Sequence, residues 1–486
     1  MVSDTGVSAP VRVVVVGNGM AGFRFVQELA GLPGRFAVTV AGEEPGGAYN
    51  RAKLTEVLAG TAGLASVGLA GAGWYAARGV TLLAGTRAAA VDRGRRLVQL
   101  AGGGAVPYDV LVLATGSSAV IPPGVAGGGG RLMPGTAPFH NLADCAGIGA
   151  LAARAGQAVV LGGGVLGLEA ARALALRGLP VTLVQRGRRL MERQLDAAAS
   201  RAVGRAARAA GVAVAAGATV AAVRGGGRVA AVELGDGRVL GADLLVLACG
   251  TRPRAELARA AGLAAGAGII VDDQMRSVTD PAVFAIGECA EHRGRACGLI
   301  APSWEQARVA ARVIAGGAER YEAPPDVVRL KADGIELAVL GPTGGAGAEV
   351  VRFTDAARGV YQKLVLRRGS LAGAILAGDT RAAGLLTQLL DRGTALPPDR
   401  AALLLGRGGP APASPAALPG QATVCQCNGV TKDAICAAWQ GGARAAGEIA
   451  ERTRATTGCG TCRDAVAELA AWLAGAGRAG AGLVTA

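Results

Sequence analysis

Twice along this 486-residue chain an apolar run ends in the pattern G-x-G-x-x-G and then continues with helical spacing. The first instance is "VRVVVVGNGMAGFRFVQELAGL", and the second is "AVVLGGGVLGLEAARALALRGLPVTLVQRGRRL". A continuous valine run, with no polar alternation, predicts a strand buried on both faces, as in a parallel sheet. In the first loop Gly17 allows the tight turn, Gly19 lets a pyrophosphate approach the backbone, and Gly22 lets the next helix close on the strand. Phe23, Val26, Leu29 and Ala30 recur along that helix. Gly162, Gly164 and Gly167 repeat the arrangement. Phosphates sit at a helix N-terminus, where free N–H groups point outward, so two such units call for two dinucleotides.

The strand that follows each unit carries the next signal. "FAVTV" ends near Glu43, about 20 residues past the first motif, where ribose hydroxyls take an acceptor; Glu44 is the neighbouring candidate. The second unit's strand ends in Gln185 and Arg186, with Arg188 and Arg189 close by. No acid stands there for a 2′-hydroxyl. Arginines accept a 2′-phosphate, so NADPH is compatible, and simple solvated arginines account for the pattern equally well. Glu169 lies just inside the second helix, either on the nicotinamide side or merely as an acid favoured by the helix dipole. "YDVLVLATGS", with Thr115 and Gly116, and "ADLLVLACGTRP", with Gly250, are near-copies: an acid, an apolar strand, a glycine turn. In "VFAIGECAEHRG" a strand runs into Gly287 and Glu288. An acid at that place can bond the ribityl chain of a flavin, and a following helix can offer N–H groups to its phosphate.

The tail differs in kind. "GRGGPAPASPAALPG" has no apolar period and reads as a linker. Beyond it come Cys425-x-Cys427 and Cys459-x-x-Cys462. Two thiolate pairs can close a tetrahedral site, and zinc and iron–sulfur clusters both use four thiolates. C-x-C is short for a zinc pair. Cys145, Cys249, Cys289 and Cys297 read as small buried hydrophobes or bystanders, and Cys436 as core. The net charge is +14, mostly from arginine, without a basic run. With aromatics at 3 %, nucleic-acid binding has no support. Glycine and proline break every long apolar stretch, so no membrane span is expected. "MVSDTGVSAP" does not read as a secretory signal, and a cytoplasmic location is expected.

Taken together, these motifs resemble the two-dinucleotide flavoprotein reductases that carry FAD and NAD(P)H. "YNRAKLTEVLAG", "WYAARGV", "RLMERQLD" and "LAGAILAGDT" resemble the N-terminal half of the large subunit of assimilatory NAD(P)H nitrite reductase, and equally the electron-transfer flavoprotein of assimilatory nitrate reductase. "CQCNGVTKDAI" with "TRATTGCGTC" is similar to the bacterioferritin-associated ferredoxin-like [2Fe–2S] domain. The resemblance implies an α/β protein with two Rossmann-like domains, the NAD(P) fold inserted in the FAD fold. A small α+β C-terminal domain and a small helical [2Fe–2S] domain complete it. The implied boundaries are 10–118 and 248–318 for the FAD-binding domain, 119–247 for the NAD(P)-binding domain and 319–405 for the C-terminal reductase domain. A linker over 406–422 and the [2Fe–2S] domain over 423–475 follow.

By that resemblance Gly17, Gly19, Gly22, Glu43, Arg51, Thr115, Gly116, Gly287 and Glu288 contact FAD. Gly162, Gly164, Gly167, Glu169 and Gly250 contact NAD(P)H, and Cys425, Cys427, Cys459 and Cys462 hold the cluster. Pro302 and Glu305 approach the flavin ring. No side chain is required as a catalytic nucleophile or acid–base pair. The chain departs from the family pattern at His140-Asn141, where an Arg-Thr pair is usual, and at Lys53, where the family is commonly apolar. No redox cysteine pair follows the first loop, which disfavours disulfide chemistry, and Thr55 stands near the place of a peroxidatic cysteine. No sirohaem-type cysteine set follows Cys462, so a separate nitrate or nitrite reductase catalytic subunit is the expected acceptor. A ferredoxin-like protein or an oxygenase is the second reading, and a diaphorase with a zinc-stapled interaction module the third. A homodimer is compatible with the C-terminal domain.

Overall fold

The computed structural model describes residues 9–127, 130–393, 395–396, 398–405, 415–425, 427–458, 460 and 462–481. Two compact units emerge. The first draws its described residues from Met1–Asn50, Ala65–Ser118 and Thr251–Pro324. The second draws on Arg51–Leu64, Ala119–Gly250 and Pro325–Ala486.

The first unit is built on a five-stranded parallel sheet in the order Val283–Ala285, Val110–Leu113, Val11–Val16, Phe36–Gly42, Thr81–Ala84. The valine run forms the central strand, as its lack of alternation predicts. Val13, Val14, Val15 and Val16 are all buried. Helix Met20–Leu29 returns along the sheet and packs on helix Ile300–Ile314. Phe23, Phe25, Val26 and Leu29 join the core.

The second unit repeats this plan. Its parallel sheet runs Thr136–Pro138, Leu244–Leu247, Ala158–Leu161, Val181–Gln185, Val212–Ala216. Again the strand that precedes the glycine loop is central, and helix Val165–Leu176 follows it. Residues 51–64 belong to this unit, although the sequence places them inside the flavin-binding stretch 10–118. The cause is apolar burial. Helix Leu54–Ala59 buries Leu54, Val57 and Leu58 and packs on helices Leu142–Ala152 and Val165–Leu176. Arg177 donates to the Leu58 carbonyl, and the Cys145 thiol lies 3.4 Å from that of Leu54.

Two further parts complete the second unit. An antiparallel sheet runs Val327–Arg329, Leu337–Leu340, Ser370–Ala377, Val360–Arg367, Glu349–Asp355 and carries helix Ala383–Arg392. The last part pairs Thr423–Cys425 with Val430–Thr431 and adds helices Lys432–Gln440, Ala446–Thr453 and Arg463–Ala481. Of the linker expected over 406–422, residues 406–414 lie outside the described residues. The remainder is not a free tether: Lys432 donates to the carbonyls of Ala416 and Leu418, and the Asp433 amide bonds to Gly420. Those hydrogen bonds tie 415–422 to the cysteine-bearing part.

Candidate functional site

The two glycine loops have nearly the same geometry. Gly17 and Gly162 take φ of +115° and +108°. A Cβ on Gly17 would overlap the Ala114 carbonyl, and one on Gly162 would overlap that of Ala248. Gly22 and Gly167 are equally closed, each against the carbonyl of its loop's first glycine. The middle glycines behave oppositely: nothing lies within 4 Å of a Cβ built on Gly19 or Gly164. Each of these two is a helix N-cap without a side-chain hydrogen bond. Elsewhere in the chain Asn141, Asp196 and Thr431 do cap their helices. Two uncapped helix ends, each with open space beside a glycine, fit the phosphates of a dinucleotide.

In the first unit, Glu43 directly follows strand Phe36–Gly42 and bonds to Arg254 at 3.0 Å. Glu44 is taken by the Tyr49 hydroxyl at 2.6 Å. Thr115 donates to the Arg254 carbonyl at 2.7 Å, and Gly116 has a positive φ of +67°. Glu288 accepts from Ser117. A Cβ on Gly287 would stand 2.8 Å from Ala21, so this turn meets the first helix closely. The helix that follows Glu288 does not begin at once. Gly287–Cys289 is a single 3-10 turn, two short strands follow, and the helix begins only at Ile300. Pro302 is buried in that helix, and Glu305 pairs with Arg308 at 2.8 Å.

In the second unit, Gln185 bends back so that its side-chain oxygen accepts from the Gly163 amide at 2.8 Å. Gly250 turns with φ +98°. Glu169 is buried and accepts from the Lys331 amide at 2.9 Å. Burial pushes its carboxyl up to about 7, against the smaller opposing effect of that hydrogen bond. Sequence reasoning found Glu169 but not Lys331, which lies 162 residues away. Arg51 bonds to His140 at 3.1 Å. Asn141 is the N-cap of helix Leu142–Ala152, and its side chain closes a capping box with Asp144. The departure at 140–141 therefore has a local structural role.

The cysteine site also takes shape. Cys425, Cys427 and Cys462 are buried, and the first two sulfurs are 3.6 Å apart. The Asn428 amide lies 3.6 Å and 3.9 Å from them. Hydrogen bonds from Cys427 and then Cys462 hold the Cys425 thiol far below its ordinary range, which suits thiolate ligation. Cys459 lies outside the described residues. Among the described residues no set of three metal-ligating side chains is complete by itself. Cys436, expected in the core, is only half-buried beside buried Ile435. Cys145 and Cys289 are buried, and burial pushes both thiols up, away from reactivity.

Residues 11–313 match the family model described as pyridine nucleotide-disulphide oxidoreductase. The chain belongs to that family. Residues 327–394 match the rubredoxin NAD+ reductase C-terminal domain, and 423–472 match the BFD-like [2Fe-2S] binding domain. The chain is 35 % identical over 461 residues to the nitrite reductase [NAD(P)H] large subunit of Klebsiella oxytoca, across 93 % of this chain and 48 % of that protein. It is 34 % identical to the assimilatory nitrate reductase electron transfer subunit of Bacillus subtilis (strain 168), across 94 % and 59 %. It thus spans about half to three-fifths of these relatives' lengths. The covalent putidaredoxin reductase–putidaredoxin complex superposes with a TM-score of 0.75 at 26 % identity, covering 83 % of this chain and all of that one.

FAD, NAD(P)H and a [2Fe–2S] cluster are the cofactors of this domain set. The loops and the described thiols fit them, and the BFD-like match favours iron–sulfur over zinc at the cysteines. Among the described residues no helix is long and apolar enough to cross a membrane.

Proposed function

We propose that this protein is an NAD(P)H-dependent electron-transfer flavoprotein that supplies a nitrate or nitrite reductase centre on a separate chain in the cytoplasm. The carrying observation is the pairing of the Cys425 and Cys427 sulfurs at 3.6 Å, under the Asn428 amide, in a chain that also has two uncapped glycine loops. When bound, the cofactors supply the chemistry: NAD(P)H gives an electron pair, FAD takes the pair and releases single electrons, and the cluster passes them on.

The chain's own residues bind and orient. Gly17, Gly19 and Gly22 bring a helix N-terminus against the FAD pyrophosphate, and Glu43 accepts from its ribose. Glu288, with Thr115, Gly116 and Gly287, lines the flavin chain. Gly162, Gly164 and Gly167 do the same for NAD(P)H, with Gly250 at the neighbouring strand end. Glu169 holds a proton near neutral pH and so can donate as well as accept beside the nicotinamide. The assignment of Arg51 to the flavin rests on the resemblance alone. Cys425, Cys427, Cys459 and Cys462 hold the cluster, and Asn428 donates toward its sulfurs. The relatives' names support the nitrogen-oxyanion acceptor.

An anaerobic titration with NADH and with NADPH, followed by absorbance, tests the reading. Flavin and cluster bands should bleach together in the native chain, and only the flavin band in Cys425→Ser. Flavin bleaching with an unresponsive cluster in the native chain would overturn it. Mixing the reduced protein with molybdopterin or sirohaem reductases then identifies the acceptor.

A further inference from the structure

Lys53 lies one residue before helix Leu54–Ala59, far in sequence from the cysteines, yet the second unit brings it to the cluster-binding loop. A Cβ built on Gly460 would stand 3.8 Å from Lys53 Cε and 3.9 Å from the Arg463 guanidinium. The two cations thus flank Gly460, beside Cys462. Arg463 Nη2 is 3.7 Å from Glu56 Oε2, which ties the start of helix Arg463–Ala481 to helix Leu54–Ala59. The Lys331 ammonium, bonded to the Ala52 carbonyl at 2.7 Å, adds a third cation to the same neighbourhood. Lys53 feels this crowd: burial lowers its pKa first, then Arg463, while the Cys462 thiolate works in the opposite direction. Among the described residues two acids share this neighbourhood with the three cations: Glu56, and Glu169 behind Lys331.

We infer that Lys53, with Arg463 and Lys331, forms a cationic rim that raises the reduction potential of the cluster, and that Glu56 moderates it. The inference rests on the cluster reading above. A four-thiolate cluster is anionic when oxidised and gains a further negative charge when one electron is added, so fixed positive charge favours the reduced form. Lys53 is therefore a positioning residue for charge, held at the N-cap of a helix that packs on the nucleotide-binding fold. Removing one partly buried unit charge at this range shifts a one-electron equilibrium by roughly tenfold, since the effective dielectric near a surface is about 20.

The test is a redox titration of the full chain with its cluster, read by electron paramagnetic resonance. Lys53→Met should lower the ratio of reduced to oxidised cluster at a fixed potential by roughly tenfold, equivalent to ~59 mV. Lys53→Arg should restore it. Glu56→Gln should move it the opposite way, a sign that loosened packing alone does not produce. Lys53→Met and Glu56→Gln both matching the native potential would overturn the inference. If Lys53→Met loses its cluster, Glu56→Gln decides: an upward shift supports the rim, and no shift overturns it. Zinc, or no metal and no acid-labile sulfide, in the native chain overturns the cluster reading and this inference together. A native cluster whose potential ignores these charges overturns this inference alone.

Discussion

The two glycine loops are close copies in backbone and differ in what surrounds them. Both have a first glycine at strongly positive φ, an open middle glycine at the helix N-cap, and a last glycine against a carbonyl. Their second residues diverge. Asn18 accepts from the Tyr75 hydroxyl at 2.6 Å, whereas Gly163 gives its amide to Gln185. Two residues beyond each last glycine a charged side chain is buried: Arg24 in the first helix, Glu169 in the second. Arg24 is neutralised by Glu28 at 2.8 Å and lies over the Trp304 ring, while Glu169 is met by a backbone amide and kept protonated by burial. The backbone is shared; the side chains around it, and their charges, are not.

The largest expected effects come from Gly19→Glu and Gly164→Glu. Both sites have room, so the fold should survive, but a carboxylate would occupy the phosphate's place and weaken binding by roughly a hundredfold or more. Gly19→Glu should purify without flavin. Gly164→Glu should keep its flavin and lose reduction by NAD(P)H in stopped-flow absorbance. Loss of flavin in both variants would break the division of labour between the loops.

The buried charges come next. Arg24→Met removes the buried ion pair with Glu28 and should cost about 3 kcal/mol in denaturant unfolding. Glu169→Gln should do the reverse, with a defined pH signature. The folded carboxyl titrates at about 7 against an ordinary 4.5, so between those values only the folded state keeps its proton. Native stability therefore falls as pH rises through that window. The variant should match the native protein below pH 4.5 and exceed it above pH 7, by at most about 3 kcal/mol. A stability gap that ignores pH would remove the buried-proton account of Glu169.

The smallest effect concerns the strand ends. Gln185→Glu would place a carboxylate acceptor at the strand end of the second loop. The ratio of kcat/KM for NADH over NADPH should rise about tenfold, the worth of one charge-assisted hydrogen bond to a 2′-hydroxyl. An unchanged ratio would place nucleotide choice elsewhere, with Arg186 and Arg188 the next residues to change.

Much of this was legible from local pattern. The valine run and the glycine spacings determine a strand, a turn and a helix within about 30 residues, because each depends on neighbouring backbone sterics and periodicity. The spacing of the cysteines likewise marks a four-thiolate site. The helix after Glu288 starts only at Ile300 because the glycine turn is followed by extended residues that pair as short strands. The end of the expected linker is held to the cysteine-bearing part because Lys432 finds its carbonyl partners in that segment.

What no pattern could disclose is long-range. Residues 51–64 join the second unit because Leu54, Val57 and Leu58 find their apolar partners there. Glu169 depends on Lys331, and Lys53 meets the loop of Cys462 across some 400 residues of chain. Sequence alone determined which cofactors this protein is built to hold. Tertiary structure decided which charges surround them, because burial and Coulomb energy depend on distance in space and not along the chain.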